Sequence, residues 1–207
     1  MSDKTDYKKK YKELYNPPKN DPVIVDVPEF NFLMIDGEGI PGECRDYQDA
    51  VEILFGVSYK SKFIIKKENN FDYGVMPLEG LWWADNMNDF VNGNKDKWKW
   101  TMMIMQPECV TEEIIKRAAD SLKEKKGHLP IDKLRFESFK EGISVQIMHI
   151  GPYSEEHENI MKIHKFIEEK GGKFDGKINK HHEIYLSDPR KCTPEKMKTV
   201  LRQPYTK

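Results

Sequence analysis

Apolar residues recur along this chain with two different periods, and the alternation between them sets out a fold. In Phe30-Asn31-Phe32-Leu33-Met34-Ile35-Asp36-Gly37-Glu38-Gly39 the pattern predicts a strand running into a glycine-rich turn. From Arg45 to Val57 the period changes to that of a helix, with Tyr47, Ala50, Val51, Leu54 and Val57 on one stripe. Lys62–Lys66 and Tyr73–Leu78 read as short strands, followed by Leu81-Trp82-Trp83. An Asn/Asp/Gly-rich loop then leads into a strand from Lys97 to Met105. Thr111-Glu112-Glu113 opens a helix, its acidic residues complementing the positive end of the helix dipole. Ile114, Ile115, Ala118 and Leu122 form the apolar face of that helix.

The second half repeats the order. Ser144–Tyr153 is a strand ending in a Gly-Pro turn, and Glu155–Lys170 is a helix with Ile160, Ile163, His164 and Ile167 on one stripe. A strand around His181-His182-Glu183-Ile184-Tyr185-Leu186 follows, then a short helix announced by Thr193-Pro194-Glu195. The agreement lies in the pattern more than in the identities, and the two copies span about 30–105 and about 142–205. Two such units predict an α+β fold: a duplicated βαββ module whose antiparallel sheet is backed by helices and leaves a central ligand groove.

The late strand carries a carboxylate where strands seldom place one. Strand side chains alternate between faces, so Ile184 and Leu186 share one face while His181, Glu183 and Tyr185 share the other. A face turned to water and a face lining a cavity both fit this pattern. Aromatic residues favour a cavity somewhere on the sheet. Trp82 and Trp83 are adjacent and, in an extended segment, point to opposite sides; Tyr153 follows the Gly-Pro turn. Glu183 is the first candidate for proton transfer and Glu79 the second, because a carboxylate buried among aromatic rings exchanges protons closer to neutral pH. Glu79, in Pro77-Leu78-Glu79-Gly80, reads equally as a turn carboxylate capping backbone donors. His149 is either a satisfied core histidine or a contributor to ligand binding.

Composition narrows the classes of function. With 34 Lys+Arg against 35 Asp+Glu the formal net charge is −1, so no global field draws the chain to nucleic acid or to an acidic membrane. No apolar run is long enough to span a bilayer. The N-terminal Met1–Lys10 lacks the apolar centre of a secretory signal, and three widely spaced cysteines have neither disulfide-framework nor zinc spacing. A cytoplasmic protein without a metal or other cofactor is expected. Residues 1–24 read as a lead-in, flexible or peripheral, whose Lys8-Lys9-Lys10 cluster lacks the aromatic or glycine pattern of nucleic-acid recognition. Residues 25–207 form the domain. Gly37-Glu38-Gly39 lacks the remaining residues of a phosphate loop, and no Gly-x-Ser-x-Gly nucleophile elbow occurs.

Four strings resemble the GyrI-like small-molecule-binding family, which is related to the effector domains of multidrug-responsive regulators. They are Met34–Gly42, Val75–Trp83, His149–Tyr153, and His182–Arg190 with Lys198–Pro204 after it. The resemblance extends from about residue 25 to the C-terminus and is similar to a stand-alone branch, with no helix-turn-helix domain ahead of the module. It implies a groove carboxylate at the position of Glu183. It also implies a choice between two main activities, with a gyrase-binding inhibitor as a third reading. One is a hydrolase that opens the ring of cyclopropane-bearing, DNA-alkylating compounds and so protects the cell. The other is a non-catalytic drug-binding protein for planar or cationic hydrophobic molecules. Glu183 and Tyr185 are the expected catalytic pair, with Trp82, Trp83, Glu79, Tyr153 and His149 in substrate binding. Oligomeric state stays open.

Overall fold

Each half of the chain lays down a strand, a helix and two more strands, as the periodicity predicts. The structure is a computed structural model that describes residues 4–42, 44–86 and 95–207. The first half comprises β1 (Val23–Glu38), α3 (Arg45–Asn69), β2 (Leu78–Trp83) and β3 (Lys99–Gln106). The second comprises β4 (Arg135–Ile150), α5 (His157–Glu169), β5 (His181–Tyr185) and β6 (Lys198–Pro204). Between them runs α4 (Glu112–Lys125), capped by the Thr111 hydroxyl, which accepts from the Ile114 N–H. Two four-residue helices, α1 (Tyr7–Lys10) and α2 (Lys12–Tyr15), precede β1.

All strand pairings are antiparallel, and the sheet closes into a barrel in the order β1-β3-β2-β5-β6-β4. The two seams between the halves therefore join matching strands, β2 to β5 and β1 to β4. The helices pack on the outside. On one flank, Ile53, Leu54, Val57 and Ile65 of α3 are fully buried in the same cluster as Leu33, Ile35, Met102 and Ile104. On the other, Ile163 and Ile167 of α5 close over Val145, Ile147 and Leu201. Each such aliphatic side chain contributes about 1.5–3 kcal/mol of burial. At Gly142 φ is +74°, a conformation that suits glycine, within a stretch that keeps its register with β1. Glu141 and Gln146, on either side of this glycine, both accept from Arg202.

Two local readings of the sequence change. The apolar run in Lys62–Lys66 is not a strand but part of the 25-residue α3, where Ile65 is buried and Phe63 is 59% exposed. The stripe that starts at Ala50 simply continues. Of Tyr73–Leu78, Tyr73 makes an isolated bridge to Thr5, and the strand begins at Leu78. The Asn/Asp/Gly-rich loop falls largely on 87–94, outside the described residues. Among the described residues no helix is long and apolar enough to cross a membrane.

Candidate functional site

The seam between β2 and β5 sorts its side chains by parity. Gly80 pairs with Glu183, Trp82 with His181 and Leu78 with Tyr185, so these residues share the outer, helix-bearing face. Glu79 pairs with Ile184 and Leu81 with His182, and these point into the barrel. Every chemical group contributed by the two strands is thereby assigned to one of two separate environments.

On the outer face a chain of hydrogen bonds ends on a carboxylate. The Trp82 indole N–H donates to the Tyr185 hydroxyl at 3.0 Å, and that hydroxyl donates to Glu183 Oε2 at 2.7 Å. Glu183 Oε1 lies 3.4 Å from His181 Nε2. The Glu183 side chain keeps 14% of its exposure. Gly80 makes room for this arrangement: a Cβ there would stand 2.8 Å from Trp82 Nε1 and 2.5 Å from Met102 Cε. Tyr153 meets Tyr185 edge-on, with centroids 5.7 Å apart, and Tyr47 at the start of α3 packs edge-on against Trp100 at 5.6 Å. Burial and then the charge of Glu183 hold the Tyr185 phenol well above its ordinary range. Burial, followed by Glu156 and Glu183, pushes Tyr153 up to about 12. Burial and Glu183 likewise raise Tyr47. The three phenols thus remain protonated donors around the carboxylate.

The interior face is saturated instead. Tyr15 donates to Glu79 Oε1 at 3.0 Å, and His182 lies with Nε2 3.0 Å from Glu79 Oε2 and Nδ1 2.9 Å from Glu141 Oε1. With a carboxylate on each side, both ring nitrogens donate, which makes His182 an imidazolium. Arg202 donates to Glu141 Oε2, to the Gln146 side chain and to the Leu14 carbonyl. Burial disfavours the His182 cation, but Glu141 and Glu79 outweigh it and raise the group to about 9. Burial acts against the Glu141 anion too, and His182 and Arg202 overcome it, holding the carboxyl down at about 2. Leu14 and Tyr15 of the N-terminal segment are buried as part of this interior.

The residues singled out from sequence therefore divide. Glu183, Tyr185, Trp82 and Tyr153 come together on the outer face. Glu79 lies on the opposite side of the sheet, within the polar chain of the barrel. Trp83 also takes the inner parity and carries the Lys180 ammonium 3.5 Å over its ring. His149 is buried with its Nε2 on the Pro152 carbonyl at 3.1 Å and its Nδ1 on Asn159 at 3.1 Å, so it braces the turn that presents Tyr153. Tyr47 and His181 join this cluster without having been chosen. His181 carried the right parity in the sequence, whereas Tyr47 gave no signal beyond its place on a helical stripe. A cavity of about 300 Å³ opens elsewhere, bordered by Leu81, Phe139, Glu141 and Lys180. Among the described residues no group of three His, Cys, Asp or Glu side chains is placed to hold a metal ion.

Known structures share this architecture over nearly the whole chain. An uncharacterized conserved protein from Listeria innocua is 43% identical, with a TM-score of 0.90 and coverage of 98% of this chain and 100% of its own. A hydrolase from Listeria innocua is 42% identical, with a TM-score of 0.85 and the same coverage. The C-terminal domain of EcmrR, 12% identical with a TM-score of 0.55 over 90% of this chain and 98% of its own, shares the fold alone. Among curated proteins none matches the chain. Residues 20–205 match the GyrI-like small molecule binding domain, and the chain belongs to that family.

Proposed function

We propose that the protein is a hydrolase that opens the cyclopropane ring of DNA-alkylating cyclopropanoid compounds, with Glu183 as the general base. One observation carries this reading: a partly exposed carboxylate, held on one oxygen by Tyr185, stands among aromatic rings on the outer face of the β2–β5 seam. The description of a 42%-identical relative as a hydrolase supports its catalytic half.

A cyclopropane conjugated to a carbonyl is strained and already electrophilic, so positioning of water and removal of its proton suffice. Glu183 takes a proton from water as the water oxygen bonds to a ring carbon. The cleaved carbon–carbon bond delivers its electron pair through the conjugated system to the carbonyl oxygen. That oxygen then receives the proton, and the product is the substrate plus one water. Tyr185 orients Glu183, because its own proton is committed to Oε2. Trp82 and Tyr153 flank the flat body of the ligand. Loss of a general base costs about a hundred- to ten-thousand-fold in turnover.

The alternative is a non-catalytic protein for planar or cationic drugs, favoured by the same carboxylate among ring faces. Mass spectrometry of the protein incubated with a cyclopropane-bearing alkylator separates the two. A product heavier by one water, lost in Glu183→Gln, supports the hydrolase. Saturable binding without product supports the binder, and full turnover by a folded Glu183→Gln protein removes Glu183 as the base.

A further inference from the structure

His181 stands two residues before Glu183, so both side chains leave β5 on the same outer face. The imidazole is nearly sealed, at 7% side-chain exposure, and its Nε2 lies 3.4 Å from Glu183 Oε1. That is the oxygen Tyr185 does not hold. The two oxygens of the carboxylate are thereby given different fates. Oε2 is fixed by a phenol that stays protonated, and Oε1 faces an imidazole.

The surroundings of the imidazole sharpen the point. From β2, Trp82 pairs with His181 across the ladder and presents no charge. From α5 comes His164, whose ring packs at 4.4 Å on Phe174. Burial first, and then the charges of His181 and His157, lower His164 to about 4, so it adds no cation at neutral pH. From its own strand comes Glu183. A proton gained by His181 therefore has this carboxylate at ion-pair distance.

We propose that His181 is a positioning residue for Glu183, one whose protonated ring pins Oε1 in an ion pair and whose neutral ring leaves that oxygen to water. The inference rests on Glu183 being the base, and it adds a switch to that site. A protonated ring competes with water for Oε1 and stabilises the carboxylate, which lowers its affinity for the water proton. A neutral ring leaves the base available. The acid limb of turnover is therefore expected to depend on His181 as well as on Glu183.

Two measurements test this. Histidine-ring NMR titration of the wild type and of Glu183→Gln reads the pairing without any turnover. The His181 midpoint is expected to fall by about one pH unit in the variant; an unchanged midpoint overturns the pairing. The pH profile of cyclopropanoid turnover is then compared with that of His181→Gln, whose amide can donate to Oε1 but does not titrate. The acid limb is expected to move down by about one pH unit. A lower plateau with an unmoved limb would make His181 merely structural. A wild type that turns over nothing sinks the hydrolase reading, and the NMR titration still decides the pairing.

Discussion

His182 and Glu183 are neighbours in the chain and live in opposite chemical worlds. His182 points into the barrel, where both ring nitrogens and each carboxylate oxygen of Glu79 and Glu141 are hydrogen-bonded. Glu183 points outward, where one oxygen is held by Tyr185 and the other looks toward His181, with part of the side chain exposed. Both environments perturb proton affinities strongly. Only the second leaves a lone pair and some solvent access for a reacting molecule. Burial of a charge is thus a poor guide to chemistry, and incomplete satisfaction of a held charge is a better one.

The sharpest way to break this contrast is to remove Glu141, which would strand His182 and Arg202 in the interior. Glu141→Ala is expected to lose about 3–5 kcal/mol of stability in denaturant unfolding. A loss below about 1 kcal/mol would mean that the interior tolerates its cations unpaired. Glu183→Gln is expected to do the reverse, leaving stability within about 0.5 kcal/mol while removing turnover. Glu79→Gln tests the boundary directly. It should cost about 1–3 kcal/mol through the neutralised interior bond and leave the turnover of the folded protein in place. Turnover lost without destabilisation would move Glu79 to the reacting side.

The same contrast is read from pH. His182 has a folded value near 9 against an ordinary 6.5, so its stabilisation is complete below 6.5 and is lost as pH rises toward 9. Glu141 has a folded value near 2 against 4.5, so its share is present above 4.5 and is lost as pH falls toward 2. Thermal melting should show a plateau between those two ordinary values and decline on both sides. A melting temperature that keeps rising from pH 6.5 to 9 would contradict an imidazolium at His182.

Much of this was legible in the chain. Alternation placed β1, β3 and β5, and the repeated order exposed the duplicated module, because half-buried strands and amphipathic helices write their period directly. The last turns of α3 were not legible. A short apolar run such as Phe63-Ile64-Ile65 satisfies both periods, and only its packing on the barrel decides between them. Closure of the barrel was hidden as well, since β1 and β4 pair across more than a hundred residues of chain. The side of the sheet taken by Glu79 depended on its register with Ile184, which no local pattern records. Parity alone grouped His181, Glu183 and Tyr185, and it could not say which of them would touch.

The seam between β2 and β5 has a consequence for how the site is assembled. Trp82 and Tyr47 come from the first half of the chain; His181, Glu183, Tyr185 and Tyr153 come from the second. Neither half supplies this cluster by itself, so the cluster exists only where the two halves are zipped together in one register. Across that seam bare Gly80 pairs with Glu183. One half thus lends an empty position and the other a charge, a division of labour closed to a symmetric pair of identical chains.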